Sequence, residues 1–349
     1  MALQQRGLRA VVADGMRPPI DKACGEGLMP ASVSALEALG VHIPPERARR
    51  FVGVGFNENG RRGEGDFSNG YGLAIRRTVL HAEMVERAEQ CGVAFRWGAP
   101  VTELRLDGIT AGTEHLRARW IVGADGSRSL VRGWAHLEHS SRYHPRYAFR
   151  RHYRIAPWSA RMEVYWGPLG QAYVTPLGPE EVCVAVLSRH PRLRLDAALL
   201  AFPELRAKIA DALPISVERG AVTSMHSLRR VWRDNVALVG DASGGVDAIT
   251  GEGLGLSFRQ ADALATAIHH GDLRIYQQQH RRLAKVPSLT SRLLLLMDSH
   301  PSLRRRALRA LTDRNLFHRL LAVYTGPASA RDLLGAGMRL GLKLLESGA

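Results

Sequence analysis

The stretch Asn235 to Gly271, NVALVGDASGGVDAITGEGLGLSFRQADALATAIHHG, leaves the chain few ways to fold. An apolar run ends at Gly240-Asp241, and about ten residues later Gly251-Glu252-Gly253 opens a segment of helical periodicity. Strand, Gly-Asp turn, glycine loop and helix in that order place backbone amides at a helix N-terminus, where a negatively charged or polarised oxygen is favoured. Asp241 then sits at a strand tip as an acceptor. A plain glycine turn is the alternative for this segment taken alone.

Two further turns of the same kind precede it. WIVGADG reads as an apolar strand running into GADGSRSLVR, Gly123 to Arg132, where glycines on both sides of Asp125 let the backbone approach a dinucleotide closely; a hairpin turn is the alternative. At the start, MALQQRGLRAVVADG reads as a helix end stopped by Gly7, then a strand that delivers Asp14. A carboxylate at that tip can accept from both ribose hydroxyls of an adenosine, against the plainer reading of a loop aspartate. Between these turns, DKACGEGLMPASVSALEALG reads as loop and helix up to Gly40, and RRTVLHAEMVERAEQCG as an amphipathic helix.

From about residue 140 to 225 the pattern changes to alternating segments, ARMEVYWG, QAYVTPLG and EVCVAVLS, which predict an antiparallel sheet with one covered face. The chain is therefore expected to be α/β. Residues 1–45, 76–135 and 226–275 form a discontinuous, Rossmann-like three-layer dinucleotide-binding domain, residues 46–75 and 136–225 an antiparallel substrate domain, and residues 276–349 a helical region.

Composition narrows the function. The three cysteines, Cys24, Cys91 and Cys183, are odd in number and form no CxxC pair, so no metal site and no disulfide framework is expected. The longest aliphatic run, Leu293 to Met297, is too short to cross a bilayer, no secretory leader is evident, and the expected compartment is the cytoplasm. The net charge of +15 raises nucleic acid as a partner, but residues 281–349 alone hold 13 Lys/Arg against 4 Asp/Glu. That local excess points away from nucleic acid. RRLAKVPSLTSRLLLLMDSHPSLRRRALRALTDRNLFHRLLAVYTG interleaves leucines with arginines at helical spacing, as a helix does on an anionic membrane surface; an ordinary helical cap with solvated arginines is the alternative.

GADGSRSLVR followed about a hundred residues later by VALVGDASGGVDAITGEGLGL resembles the paired motifs of FAD-dependent oxidoreductases of the p-hydroxybenzoate hydroxylase and geranylgeranyl reductase group. DKACGEGLMP, RRTVLHAEMVERAEQCGV and QAYVTPLG fall where that group has its flavin-covering loop, its arginine-bearing helix and a strand of its substrate sheet. The resemblance implies FAD as cofactor and NAD(P)H as electron donor. It further implies that Asp14 binds the adenosine ribose, that Arg77 lies near the pyrophosphate with Arg76 as the alternative contact, and that Asp125 and Gly126 line the dinucleotide. Gly240 and Asp241 would hold the ribityl chain, and Gly251, Gly253, Leu254 and Gly255 would sit against the pyrimidine end of the flavin. Cys24 is the candidate thiol facing flavin or substrate, and Tyr173 the candidate donor to a substrate; a packed small residue and a core aromatic are the alternatives.

Two differences from the group stand out. Its proline before TGEG is here replaced by Asp247-Ala248-Ile249. Its strand plus GxGxxG fingerprint is expected about 20 residues before Asp14, upstream of the first residue given, so an N-terminally truncated flavoenzyme is expected, with Met1 internal to the first flavin-binding helix. Three functions follow as expectations. The leading one is a monooxygenase that hydroxylates an aromatic or polyketide-derived small molecule with NAD(P)H and oxygen. The second is a reductase of prenyl or lipid double bonds, and the third a non-catalytic remnant without flavin.

Overall fold

The computed structural model describes residues 1–137, 145–325 and Gly335. Its helices, in chain order, are α1 (Pro30–Ala38), α2 (Arg77–Gln90), α3 (Leu130–Trp134), α4 (Leu195–Leu199), α5 (Pro203–Lys208), α6 (Gly253–His269), α7 (Leu273–Ser299), α8 (Pro301–Ala310) and α9 (Arg314–Thr325).

Two parallel strand pairs carry the nucleotide-binding part. Val11–Asp14 runs beside Ala94–Trp97, with Asp14 opposite Trp97. Ile121–Gly123 runs beside Val236–Leu238, with Gly123 opposite Leu238. Parallel strands in register end at the same sheet edge, so the turns after residues 123 and 238 emerge side by side although they are distant in sequence. The two pairs belong to separate sheets, and Val11, Val12 and Val122 stand exposed on them. At the N-terminal side Gly7 ends a short 3-10 turn, Gln4–Arg6, in the left-handed conformation (φ 72°), which is the stop expected there.

The segment expected to be the substrate domain forms an eight-stranded sheet. Its centre is the antiparallel set Pro145–Arg154, Glu181–Ser188, Gly170–Gly178 and Met162–Gly167, and the hairpin Gly53–Glu58 and Arg61–Asp66 extends it through a parallel pairing with Met162–Gly167. The expectation of one covered face is corrected here. Met162–Gly167 is buried at every position, and Glu181–Ser188 at all but its first. One face lies under α4 and α5, whose Leu195, Leu199, Phe202 and Leu205 meet Val174, Val184 and Tyr165. The other face carries Val164, Trp166 and Tyr173 under Leu308 of α8, Leu311 just after it, and Phe317 and Leu321 of α9. Alternation is lost because helices cover both sides, α4 and α5 from just after the strand Glu181–Ser188 and α8 and α9 from about a hundred residues further on.

A small sheet of Gly27–Leu28, Gly72–Ala74 and Arg49–Phe51 joins the two parts. Gly72 is obligatory there, since a Cβ on it would lie 2.1 Å from Cζ of Phe51. Leu308 of α8 and Leu321 of α9 belong to the core, while residues 326–334 and 336–349 of the basic region lie outside the described residues. Arg304 of α8 reaches the sheet through a 2.6 Å ion pair from Nε to Oε1 of Glu58, both side chains under a tenth exposed. Removing one partner strands the other charge in the core. Arg304→Met is expected to cost about 3–5 kcal/mol in urea unfolding, and Arg304→Met with Glu58→Leu to recover most of it; equal losses in the single and double variants would show that the pair does not couple.

Candidate functional site

The two turns that the parallel pair brings together are fastened by one side chain. Arg132 of α3 donates from Nη2 to the Ser127 carbonyl at 2.7 Å and from Nη1 to the Ala242 carbonyl at 3.1 Å. Asp125 organises the first turn from within. Its carboxylate accepts from Ser129 Oγ (2.5 Å), the Leu130 amide (2.7 Å) and the Val131 amide (3.1 Å), so its oxygens are turned into the start of α3 and its turn offers a ligand backbone. Gly126 has φ +79° and open space where a Cβ would stand. In the second turn Gly240 (φ +61°) donates its amide to Gln260 Oε1 of α6 at 2.9 Å, and the buried Ser243 Oγ lies 2.9 Å from Nε2 of His280 on α7.

Across from these turns stands a group of charges. Asp14, at the tip of its strand, accepts from the Met16 amide (2.8 Å). His81 on α2 has its pKa lowered by burial and by the nearby Arg77, against the opposing pull of Asp14, with Lys22 also within electrostatic reach. Asp241 is exposed as a residue, yet protein encloses its carboxyl enough for lost hydration to raise its pKa, with Lys22 acting the other way. Lys22 is thus within electrostatic reach of both His81, which also feels Arg77 and Asp14, and Asp241. Arg76 is committed to Glu181 by a 2.7 Å ion pair, whereas Nη1 of Arg77 is buried without a hydrogen-bond partner, as is Nδ1 of His81. Of the two neighbouring arginines, Arg77 is the one left free for a ligand.

The TGEG segment is shaped by Asp247. Its Oδ1 accepts from the Ile249 amide (3.0 Å) and from Nη1 of the buried Arg146 (3.1 Å), and it caps the 3-10 turn Ala248–Thr250 that ends in Gly251 at φ +67°. Here hydrogen bonding does what a proline would do by ring constraint. Gly253 opens α6 with nothing near its Cβ position. Leu254 and Gly255 are turned to packing: Leu254 lies against the core under α1, and a Cβ on Gly255 would meet Ser32 Oγ at 2.0 Å. Tyr173 donates to the Ile249 carbonyl at 3.0 Å, so its hydroxyl hydrogen goes to this loop rather than to a substrate.

The loop around Cys24 is anchored by Glu26, a residue the sequence does not flag. Glu26 is 3% exposed and holds a left-handed backbone, φ 59°. Its Oε1 accepts the first amide of α2, from Arg77, at 2.9 Å, and its Oε2 lies 2.6 Å from Nε2 of His152 on the substrate sheet. Arg150 donates to Nδ1 of that histidine (3.2 Å), which leaves Nε2 as the nitrogen that donates to Glu26, and also pairs with Asp21 at 2.5 Å. Glu26, His152 and Cys183 converge closely enough to suit a cation, but the 2.6 Å Glu26–His152 contact is a hydrogen bond between the ligand atoms themselves. Burial raises the pKa of Cys24, against a hydrogen bond from the Glu26 amide, and its thiol stays protonated.

A parallel-strand edge with two glycine turns, Asp14 at the tip of a separate strand pair and an arginine with an unsatisfied buried donor are features that suit a dinucleotide. FAD fits these residues: the buried orphan nitrogens of Arg77 and His81 suit a diphosphate, and Asp14 and Asp241 suit hydroxylated chains. Residues 1–154 match the family model of an FAD binding domain. The chain is 28% identical over 298 residues to the menaquinone reductase of Mycobacterium tuberculosis (76% of this chain, 72% of that protein). It is 27% identical over 272 residues to digeranylgeranylglycerophospholipid reductase 1 of Methanopyrus kandleri (67% of each). A shorter match, 39% over 72 residues, is to the rifampicin monooxygenase of Streptomyces venezuelae (19% of this chain, 15% of that protein). The fold is shared with p-nitrophenol 4-monooxygenase from Pseudomonas putida DLL-E4 (TM-score 0.77, 18% identity, covering 97% of this chain and 93% of that one). It is also shared with a geranylgeranyl bacteriochlorophyll reductase-like protein from Thermoplasma acidophilum (TM-score 0.73, 17% identity, 99% and 93%).

His280, which braces the second turn, gives this site a pH signature. Burial lowers its pKa from 6.5 to about 4, so the folded protein keeps the imidazole neutral where the unfolded chain would bind a proton. Stability is fully present above pH ~6.5 and falls as pH drops toward ~4, by up to roughly 3 kcal/mol, then levels. Urea unfolding at stepped pH is expected to show this slope in the native sequence and a shallower one in His280→Gln; identical slopes would remove His280 from the account.

Proposed function

We propose that this FAD-dependent oxidoreductase is a reductase that saturates a carbon–carbon double bond in a lipophilic, isoprenoid-bearing substrate, with NAD(P)H as electron donor. The carrying observation is the extent of similarity. The alignments that span two thirds or more of this chain run to proteins named as reductases of menaquinone and of a digeranylgeranyl lipid, whereas the rifampicin monooxygenase match is confined to 72 residues.

The chain's own residues suit that chemistry. Bound FAD supplies the electron pair; the protein has to bind it, exclude water and provide a proton. Met29, Tyr173 and Ala185 pack with Ile249 of the Ala248–Thr250 turn and with Phe317 and Leu321 of α9 in one buried apolar cluster, which keeps water out behind that turn. Cys24 rides on the loop held by Glu26 and carries a hydrogen on sulfur, a proton it can donate. Tyr173 positions the Ala248–Thr250 turn through the Ile249 carbonyl. Hydroxylation with oxygen is the second reading, favoured by the 39% identical segment.

The two separate by measurement. Incubated anaerobically with FAD, NADPH and a digeranylgeranyl lipid or menaquinone, the protein is expected to add two hydrogens per reduced bond by mass spectrometry, with no substrate-dependent oxygen uptake in air. Oxygen uptake coupled to a mass gain of one oxygen would replace the proposal with the monooxygenase reading. Cys24→Ala is expected to slow turnover about 100-fold with flavin affinity retained; unchanged turnover would end the proton-donor role of Cys24.

A further inference from the structure

The face of α7 that looks away from the core has a composition a soluble helix has no reason to keep. Tyr276, His280, Pro287 and Ser291 point inward and are buried. On the other side Leu289, Leu293 and Leu296 are 43%, 49% and 45% exposed. Their spacing of four and three residues sets them in one row at about 100° per residue. Arg282, Lys285 and Arg292 are exposed and fall within the same arc of about 120°.

Those cations have no counter-charge on their own helix. The one carboxylate of α7, Asp298, is nearly buried, lying 3.0 Å from Arg189 and 3.6 Å from Arg146. Among the described residues no carboxylate pairs with Arg282, Lys285 or Arg292. α8 begins directly after and adds Arg305, Arg306 and Arg309, all exposed.

We infer that the outer face of α7 is a docking surface for an anionic lipid bilayer. Leucines and cations on one narrow face are what an interfacial helix needs: the leucines enter the acyl boundary while the long basic side chains reach the headgroups. A nucleic-acid backbone would satisfy the cations and leave the leucine row in water. A second copy related by a twofold axis would set like charge against like charge. No helix among the described residues is long and apolar enough to cross a membrane, so the contact is peripheral. This inference rests on α7 alone and stands whichever reaction the flavin site performs.

Flotation of the full, FAD-loaded protein with vesicles tests it. Binding to phosphatidylcholine and phosphatidylglycerol in equal parts is expected to exceed binding to phosphatidylcholine alone by at least about tenfold, and to weaken with salt. The variant Leu289→Gln, Leu293→Gln, Leu296→Gln and the variant Arg282→Gln, Lys285→Gln, Arg292→Gln are each expected to lose about tenfold, with unchanged circular dichroism and FAD content. Equal binding to both vesicle types, or leucine variants that bind like the native sequence, would overturn the inference. So would displacement of the protein from the vesicles by duplex DNA at equal charge, or sedimentation showing a dimer that the leucine variant dissolves.

Discussion

The guanidinium of Arg132 is the point on which the site depends. It bonds to the carbonyls of Ser127 and Ala242 and so joins two turns that the chain makes far apart. The parallel pairing of Ile121–Gly123 with Val236–Leu238 brings the turns to one edge, but pairing alone fixes strands, not loops. A planar, two-pronged donor fixes the loops to each other. Asp125 and Asp241 stand on the two turns so joined, with Gln260 and His280 bracing the second turn from the helices behind.

A second joint connects α2 to the eight-stranded sheet. Glu26 touches the amide of Arg77 on one side and His152 of the substrate sheet on the other, and the carbonyl of the neighbouring Gly25 accepts from Thr175 at 2.6 Å. The Cys24 loop thus belongs equally to both parts of the molecule. Its buried ions are partnered, and a buried pair of this kind specifies geometry more than it adds stability.

Much of this was legible in the sequence. Glycine turns after apolar strands carry their own punctuation, so Asp14, Asp241, Gly126, Gly240 and Gly251 could be placed from local pattern. The helix spacing of Arg77–Gln90 was equally local. What the sequence concealed were contacts across distance. Arg132 and Glu26 sit inside motifs but act through partners a hundred residues away. Asp247 looked like a missing proline and turned out to supply the cap itself. The substrate sheet read as half-covered because nothing in its strands announces that α4, α5, α8 and α9 will close both faces. Gly255 and Leu254 read as ligand-facing from the motif, whereas packing against Ser32 and the core under α1 explains them.

FAD is expected to bind beside the unpartnered Nη1 of Arg77 and the two turns that Arg132 joins. Titration of the purified protein with FAD, followed by quenching of flavin fluorescence, tests it directly when the native sequence is compared with Arg77→Met. The account predicts an affinity about 10- to 100-fold weaker in the variant, the loss of one charge-assisted contact to phosphate, with unchanged circular dichroism. An unchanged affinity in Arg77→Met would contradict it.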